Sequence, residues 1–334
     1  MRVWQIPSFG IDSLELVERP TPQPGPGDVV VKILAASFNF RDLLMTKGLY
    51  NPKLRLPRIP CSDGSGEIVS VGEGVTRWKV GDRVAGIFMQ NWLDGAPTPA
   101  NTKGALGGDI DGTLAEYVLL KESGLVAIPD GLSFEEAATL PCAAVTAWNA
   151  LAYGDLSPDS TVLIQGTGGV SIFVLQFAKA RGLRVLGISS SAAKLDRAAD
   201  LGLDEGFDYG ANSEWDHWVL DQTDGQGVDL IVDVGGAGTL PRSLRALKMC
   251  GMIAQVGVLA GPEEHIPIPM ILHKQLRIQG VYVGSRRNFE EMNKAIASSN
   301  LRPVFESHPW TKAREVLKQM ESATHFGKLV VNIR

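Results

Sequence analysis

The chain has 334 residues, 44% of them hydrophobic, and a formal charge of −5 at pH 7. That length exceeds what a single hydrophobic core usually spans, so two domains are expected, and the mild acidity argues against nucleic acid or an anionic membrane as the main partner. No apolar run approaches the ~18 residues of a membrane span, Met-Arg-Val-Trp-Gln opens as a strand and not as a leader, and Cys61, Cys142 and Cys250 are too scattered for a disulfide framework, so a cytoplasmic setting is expected.

Val3 to Pro7 and Leu14 to Glu18 read as strands of a meander, and Pro20 to Gly27 as a connection into a strand over Val29 to Ala35. Further strands are expected at Gly66 to Val71, Arg83 to Phe88 and Gly112 to Leu120. Residues 90–111, rich in Gly, Pro, Asn and Asp, predict one long surface loop. Ser133-Phe-Glu-Glu136 is a capping box that opens a helix linking the two domains. Strands then alternate with helices at Thr161–Gln165, Arg184–Ile188, Glu205–Tyr209, Leu230–Val234 and Met252–Val256, which predicts an α/β fold with a doubly wound parallel sheet. The remainder carries Pro262, Pro267 and Pro269, a strand near Ile278 to Val283, helices near Asn288 to Ala297 and Thr311 to Met320, and a strand over Leu329 to Ile333. It does not continue the repeat and is returned to the first domain. The expected boundaries are 1–127 with 266–334 for a β-rich domain, and 128–265 for the parallel-sheet domain.

Residues 162–171, Val-Leu-Ile-Gln-Gly-Thr-Gly-Gly-Val-Ser, run from an apolar strand through a glycine turn into a helix. This arrangement suits a dinucleotide pyrophosphate: Gly166 permits the tight turn, Gly168 lets backbone N–H groups approach, and the helix opening at Gly169 turns its positive end toward the phosphates. Thr167 and Val170 belong to the same cradle, and Ser171 is small enough to keep helix and strand close. An Asp or Glu about 20 residues after the first glycine ordinarily binds the ribose 2′-hydroxyl of NAD, yet no acid stands between Gly166 and Leu195. Ser189, Ser190, Ser191 and Lys194 stand there instead, and hydroxyls with an ammonium suit the 2′-phosphate of NADPH. The other reading of Lys194 is a solvated cation on a helix's first turn, where the dipole mildly disfavours it.

Several segments in order resemble the medium-chain dehydrogenase/reductase superfamily over essentially the whole chain: Gly64-Ser-Gly-Glu-Ile-Val-Ser-Val-Gly72, Val80-Gly-Asp-Arg-Val84, Asp111-Gly-Thr-Leu-Ala-Glu-Tyr-Val118, Thr146-Ala-Trp148 and His325-Phe-Gly-Lys328. Asn39-Phe-Arg-Asp42 followed by Gly48-Leu-Tyr50 is similar to segments of its quinone oxidoreductase and enoyl reductase branches. The resemblance implies a Rossmann domain beside a GroES-like catalytic domain. It also implies that the three positions holding a catalytic zinc in the alcohol dehydrogenases carry Asn39, Ser62 and Cys142 here. Asn and Ser are poor Zn²⁺ ligands, so no metal is expected, and Cys142 reads as a small buried apolar residue.

Without a metal, the charge that builds on the acceptor oxygen during hydride transfer needs a hydrogen-bond donor about 3 Å away. Asn39 and Tyr50 are the candidates. Each has a structural alternative, Asn39 as the cap of the following turn and Tyr50 as lid packing. Arg41 and Asp42 read as a pair holding the loop, with Asp63 as scaffold, and Trp92 either stacks on a flat acceptor or fills the lid. The resemblance further implies that Lys194, Ser190 and Tyr209 surround the 2′-phosphate, and that Thr146, Val258, Val283 and Gly284 lie along the nicotinamide, with Lys328 also near the cofactor.

The implied activity is NADPH-dependent, zinc-independent reduction of a quinone or an α,β-unsaturated carbonyl, with a small-molecule substrate. Alternatives are an NAD(P)-dependent alcohol or aldehyde dehydrogenase and an NADPH-binding sensor or structural protein. The first alternative lacks a visible group to deprotonate an alcohol. A homodimer is expected through the edges of the dinucleotide sheets, with Ile266-Pro-Ile-Pro269 marking that edge.

Overall fold

The strand Asp28–Phe38 pairs antiparallel with Asp63–Val71 along one side. On its other side it pairs with Tyr117–Lys121 over its first half and Lys328–Asn332 over its second. The structure is a computed structural model that describes residues 1–333. Arg83–Gly86, Leu125–Ala127 and Phe305–Pro309 complete a seven-stranded sheet, and Arg2–Gln5 pairs with Glu15–Glu18 in a separate hairpin. Between them lies a core that includes Val31, Ile33, Phe38, Ile68, Leu114 and Val331. The helix Ala313–Glu321 closes this core because Ala313, Val316, Leu317 and Met320 recur at helical spacing and are buried together.

The second unit is a six-stranded sheet, parallel throughout, in the order Glu205–Asp208, Arg184–Ser189, Thr161–Gln165, Val228–Asp233, Leu247–Gln255, Arg277–Gly280. In chain order that is 3-2-1-4-5-6, the doubly wound arrangement that binds dinucleotides at the carboxyl ends of its strands. Thr161–Gln165 is buried at every position, as a central parallel strand covered on both faces must be.

The chain divides into Met1–Val145 with Val283–Arg334, and Thr146–Tyr282. Both boundaries fall later than those read from the sequence, and packing gives the reason. Residues after Ile128 stay with the first unit because Ala138 packs with Ala35 and Val330, and Ser65 Oγ donates to Phe134 O at 2.5 Å. Residues 266–282 join the second unit because Arg277–Gly280 pairs with Leu247–Gln255. The strand expected near Ile278 therefore belongs to the parallel sheet. Ile266–Pro269 is not an edge strand, since Pro267 caps the helix Ile268–Lys274, and the exposed edge is Arg277–Gly280. Among the described residues no helix is long and apolar enough to cross a membrane.

Candidate functional site

In the second unit the strand Thr161–Gln165 ends at Gly166, whose φ of 70° lies in the left-handed region open to glycine. The helix Gly169–Ala180 begins three residues later with Gly168 as its cap. A side chain added at Gly166 or Gly168 would project into open space, so the turn presents bare backbone. Thr167 is buried, while Gly169 and Val170 are partly exposed on the first turn. Ser171 does more than stay small: its hydroxyl donates to Gln165 O at 2.7 Å and fastens the helix to the strand end.

The next strand in the sheet ends at Ser189, and Ser191 caps the helix Ala192–Ala199 with Lys194 on its first turn. Ser190 and Tyr209 are exposed, and the Tyr209 N–H donates to Ser189 O at 2.9 Å, so these residues share one corner of the sheet. That corner also contains a carboxylate that was not among the expected site residues. Asp208 is the register partner of Ser189 on the adjacent strand, and its Oδ1 accepts the Gly210 N–H at 2.9 Å.

Asp233, at the carboxyl end of Val228–Asp233, is fully buried and was not among the expected site residues. Its carboxylate accepts from Gly235 N at 3.0 Å, Gly236 N at 2.9 Å, Ser243 Oγ at 2.7 Å, Gln165 Nε2 at 3.1 Å and Thr239 Oγ1 at 2.9 Å. The loop it holds is joined to the next one by Ala237 N to Gly261 O at 3.1 Å and Ala260 N to Gly235 O at 2.8 Å, which leaves Val258 half exposed. The sequence signal was an acid closing an apolar strand immediately before Val-Gly-Gly. Thr146 is buried on the helix Val145–Ala152. Val283 has a φ of 57°, an uncommon conformation for a β-branched residue and one that marks sites under constraint. Gly284 follows it.

In the first unit Asn39 stands where Asp28–Phe38 passes into the helix Phe40–Thr46. Asn39 and Asp42 form a capping box at this helix start, in which Asp42 Oδ2 accepts the Asn39 N–H at 2.8 Å, so the capping role expected as an alternative for Asn39 is present. The Asn39 carboxamide also lies in a buried polar cluster. Lys328 Nζ donates to Asn39 Oδ1 at 2.6 Å and to Phe38 O at 2.7 Å, and lies 3.8 Å from Asp63 Oδ2. Asn39 Nδ2 donates to Ser62 Oγ at 3.3 Å, and Ser62 Oγ donates to Asp63 Oδ1 at 2.6 Å. Asp63 Oδ2 accepts the Cys142 N–H at 3.2 Å. Residues 61–63 are held there by Gly112, where any side chain would meet Cys61 O at 2.1 Å. Asp63 is thus scaffold, as expected, whereas Lys328 is 3% exposed and turned toward Asn39.

Burial raises the Asp63 carboxyl above its ordinary range, and burial pushes Asp42 up to about 6 from an ordinary 3.8, against the charges of Arg41 and Lys328. Between those two values the folded state keeps a proton on Asp42 that the unfolded chain has lost. The Asp42 contribution to stability therefore falls as pH rises from about 4 to about 6 and is level above that. Asp42→Asn removes this slope, so urea titrations of the two proteins should diverge across that window. Parallel curves would place the Asp42 titration elsewhere.

Arg41 and Asp42 form no ion pair among the described residues, contrary to expectation, because neighbours on a helix point about 100° apart. The Arg41 guanidinium donates to Leu106 O at 2.9 Å and lies over the rings of Phe88, at 4.7 Å, and Tyr50, at 5.5 Å. Tyr50 is 45% exposed on that stack and does not join the Asn39 cluster. Trp92 is buried with its Nε1 donating to Gly95 O at 2.9 Å, so it fills its own loop and offers no stacking face.

The family model for the alcohol dehydrogenase GroES-like domain matches residues 25–130, and that for zinc-binding dehydrogenases matches residues 169–298. A zinc-type alcohol dehydrogenase-like protein of Schizosaccharomyces pombe is 43% identical over 97% of this chain and 96% of its own. The chain belongs to the medium-chain dehydrogenase/reductase superfamily. A crystal structure of an NAD-dependent alcohol dehydrogenase superposes with a TM-score of 0.92 at 33% identity, covering 100% of both chains. The acryloyl-coenzyme A reductase of Metallosphaera sedula is 30% identical over 87% of each chain. This superfamily member is an alcohol dehydrogenase-like oxidoreductase, and its fold implies a nicotinamide cofactor. The Gly166–Val170 turn fits that group, with bare backbone beside the start of a twelve-residue helix.

The name zinc-binding attaches to residues 169–298, which contain none of Asn39, Ser62 and Cys142. Those three do not fit Zn²⁺. The Asn39 oxygen is held by an ammonium and the Ser62 hydroxyl is spent on Asp63. That leaves the Cys142 thiol as the one good ligand of the three, and one thiolate does not hold the ion against water. Among the described residues no other cluster of three His, Cys, Asp or Glu side chains could hold a metal ion.

Proposed function

We propose that this oxidoreductase is an NADPH-dependent, zinc-independent reductase of quinones or α,β-unsaturated carbonyls. The observation that carries this reading is the Asn39 cluster, where an amide donor fixed by Lys328 stands at a zinc-ligand position. Held at the glycine turn, a reduced nicotinamide would supply the hydride, and the acceptor would take up one proton. The acceptor oxygen gains negative charge as this happens, and the Asn39 N–H is the group that stabilises it. Its bond to Ser62, at 3.3 Å, is long enough to be shared with an incoming oxygen. Tyr50, exposed beside Arg41, is the candidate proton donor. Backbone N–H groups of Gly166 to Val170 hold the pyrophosphate. Ser189, Ser190, Lys194 and Tyr209 would receive the 2′-phosphate, and the resemblance assigns Thr146, Val258, Val283 and Gly284 to the nicotinamide. The relative named for acryloyl-coenzyme A reduction favours a conjugated acceptor. The exposed edge Arg277–Gly280 supports a homodimer, which a solution mass of a monomer at micromolar concentration would reject.

A second reading, an NAD-dependent alcohol or aldehyde dehydrogenase, is favoured by Asp208, whose carboxylate lies beside Ser189 and suits a ribose hydroxyl. One experiment separates the two. Chelator-treated, metal-analysed protein is assayed for NADPH and NADH oxidation with a naphthoquinone, an α,β-unsaturated ketone and an aliphatic aldehyde. Chelator-insensitive use of NADPH with quinone or enone supports the proposal; aldehyde-only activity lost on chelation overturns it. Lys194→Ala should weaken NADPH by about 1.5–3 kcal/mol, or roughly 10–150-fold, and leave NADH unchanged. Equal loss with both cofactors would remove Lys194 from the 2′-phosphate site.

A further inference from the structure

Asn39 is useful as a donor only if its carboxamide presents nitrogen and not oxygen to the acceptor, and the two ends of an amide have nearly the same shape. The surrounding groups decide the orientation. An ammonium has three donors and no acceptor, so the Asn39 atom 2.6 Å from Lys328 Nζ must be the oxygen. The single hydroxyl proton of Ser62 goes to Asp63, so Ser62 can only accept from Asn39 Nδ2. Donors thus run one way, from Lys328 to the Asn39 oxygen, and from the Asn39 nitrogen through Ser62 to Asp63.

Lys328 is also committed to this place by the fold. Its strand pairs with the end of Asp28–Phe38, with Leu329 opposite Phe38, so the Lys328 side chain reaches the Phe38 carbonyl and Asn39 together. A long cationic side chain at 3% exposure is rare unless paired. Here the compensation comes from two oxygens in hydrogen-bond contact and the Asp63 carboxyl at 3.8 Å.

We propose that Lys328 is the positioning residue of the reaction. It holds the Asn39 oxygen so that the N–H edge serves the acceptor, and its charge polarises the amide so that those N–H groups donate more strongly. This rests on Asn39 acting as the donor, and it takes Lys328 out of the cofactor contacts that the sequence implied. The catalytic position that a metal cation serves elsewhere in the superfamily is served here by a lysine cation acting through an amide.

The test is a double-mutant cycle of Lys328→Met and Asn39→Ala, assayed with NADPH and a naphthoquinone, with thermal unfolding and NADPH binding measured on each protein. Lys328→Met should lower kcat about 10–100-fold with the KM for NADPH unchanged. In the Asn39→Ala background the same substitution should change kcat by less than about threefold. Lys328→Arg, which keeps the charge, should recover part of kcat. Lys328→Gln can still donate to the Phe38 carbonyl, and it replaces the Met variant in the cycle if that variant fails to fold. Equal loss of kcat in both backgrounds would mean that Lys328 acts independently of Asn39 and overturns the proposal. A raised KM for NADPH with kcat intact would return Lys328 to the cofactor and overturn it too. If Asn39→Ala alone leaves kcat unchanged, the fault lies in the donor assignment beneath it.

Discussion

Asn39→Asp should lower kcat by about 10²–10³-fold, the cost of about 2.7–4 kcal/mol seen when one preorganised donor to a developing oxyanion is lost. The substitution is chosen for what it keeps. An aspartate at this position still offers an oxygen to Lys328 Nζ, now 2.6 Å from Asn39 Oδ1, and a charge for the ammonium to face. Asp42 continues to accept the residue 39 N–H and so to cap the helix Phe40–Thr46. The amide N–H groups are removed, and the oxygen that replaces Nδ2 faces Ser62 Oγ, whose proton goes to Asp63, so some thermal stability is lost as well. The KM for NADPH should stay close to that of the unaltered protein while kcat collapses. A kcat within threefold of the original would show that Asn39 is scaffold, and Tyr50 would then be the remaining candidate donor.

Asp233→Ala should cost about 3–5 kcal/mol of stability, because it strands several buried donors at once and each unsatisfied group costs about 1–3 kcal/mol. Ser243 Oγ and the N–H groups of Gly235 and Gly236 lose their acceptor, while Gln165 Nε2 keeps Ser243 Oγ at 2.9 Å and Thr239 Oγ1 keeps Gly236 O at 3.0 Å. The loss is expected in the unfolding transition of Thr146–Tyr282, lowered by roughly 10 °C. Cofactor affinity should fall as well, because Gln165 leads directly into the Gly166 turn and the Gly235–Thr239 loop leans on the loop carrying Val258. A shift below about 1 kcal/mol in urea titration would mean that water reaches these donors and that the network is not closed.

The glycine turn was legible because its signal is local. An apolar strand, a positive-φ glycine and a helix start lie within ten consecutive residues, and each obeys a rule about its neighbours. The capping box at Ser133 and the apolar face of Ala313–Glu321 were legible for the same reason. The domain boundaries were not, since nothing near Ile128 or Ile266 announces which sheet a segment will pack against. The Arg41–Asp42 pair failed because adjacency in the chain was read as adjacency in space.

The sequence by itself determined the fold class, the superfamily and the strand–glycine turn–helix at residues 161–180. Tertiary structure alone decided what surrounds the candidate site residues. Strand order put Asp208 beside Ser189, and pairing of the last strand with Asp28–Phe38 carried Lys328 to Asn39 across 289 positions. The physical reason is that helix starts and tight turns arise between neighbours, whereas the direction of a buried hydrogen bond depends on which distant donors and acceptors the closed sheets bring within 3 Å.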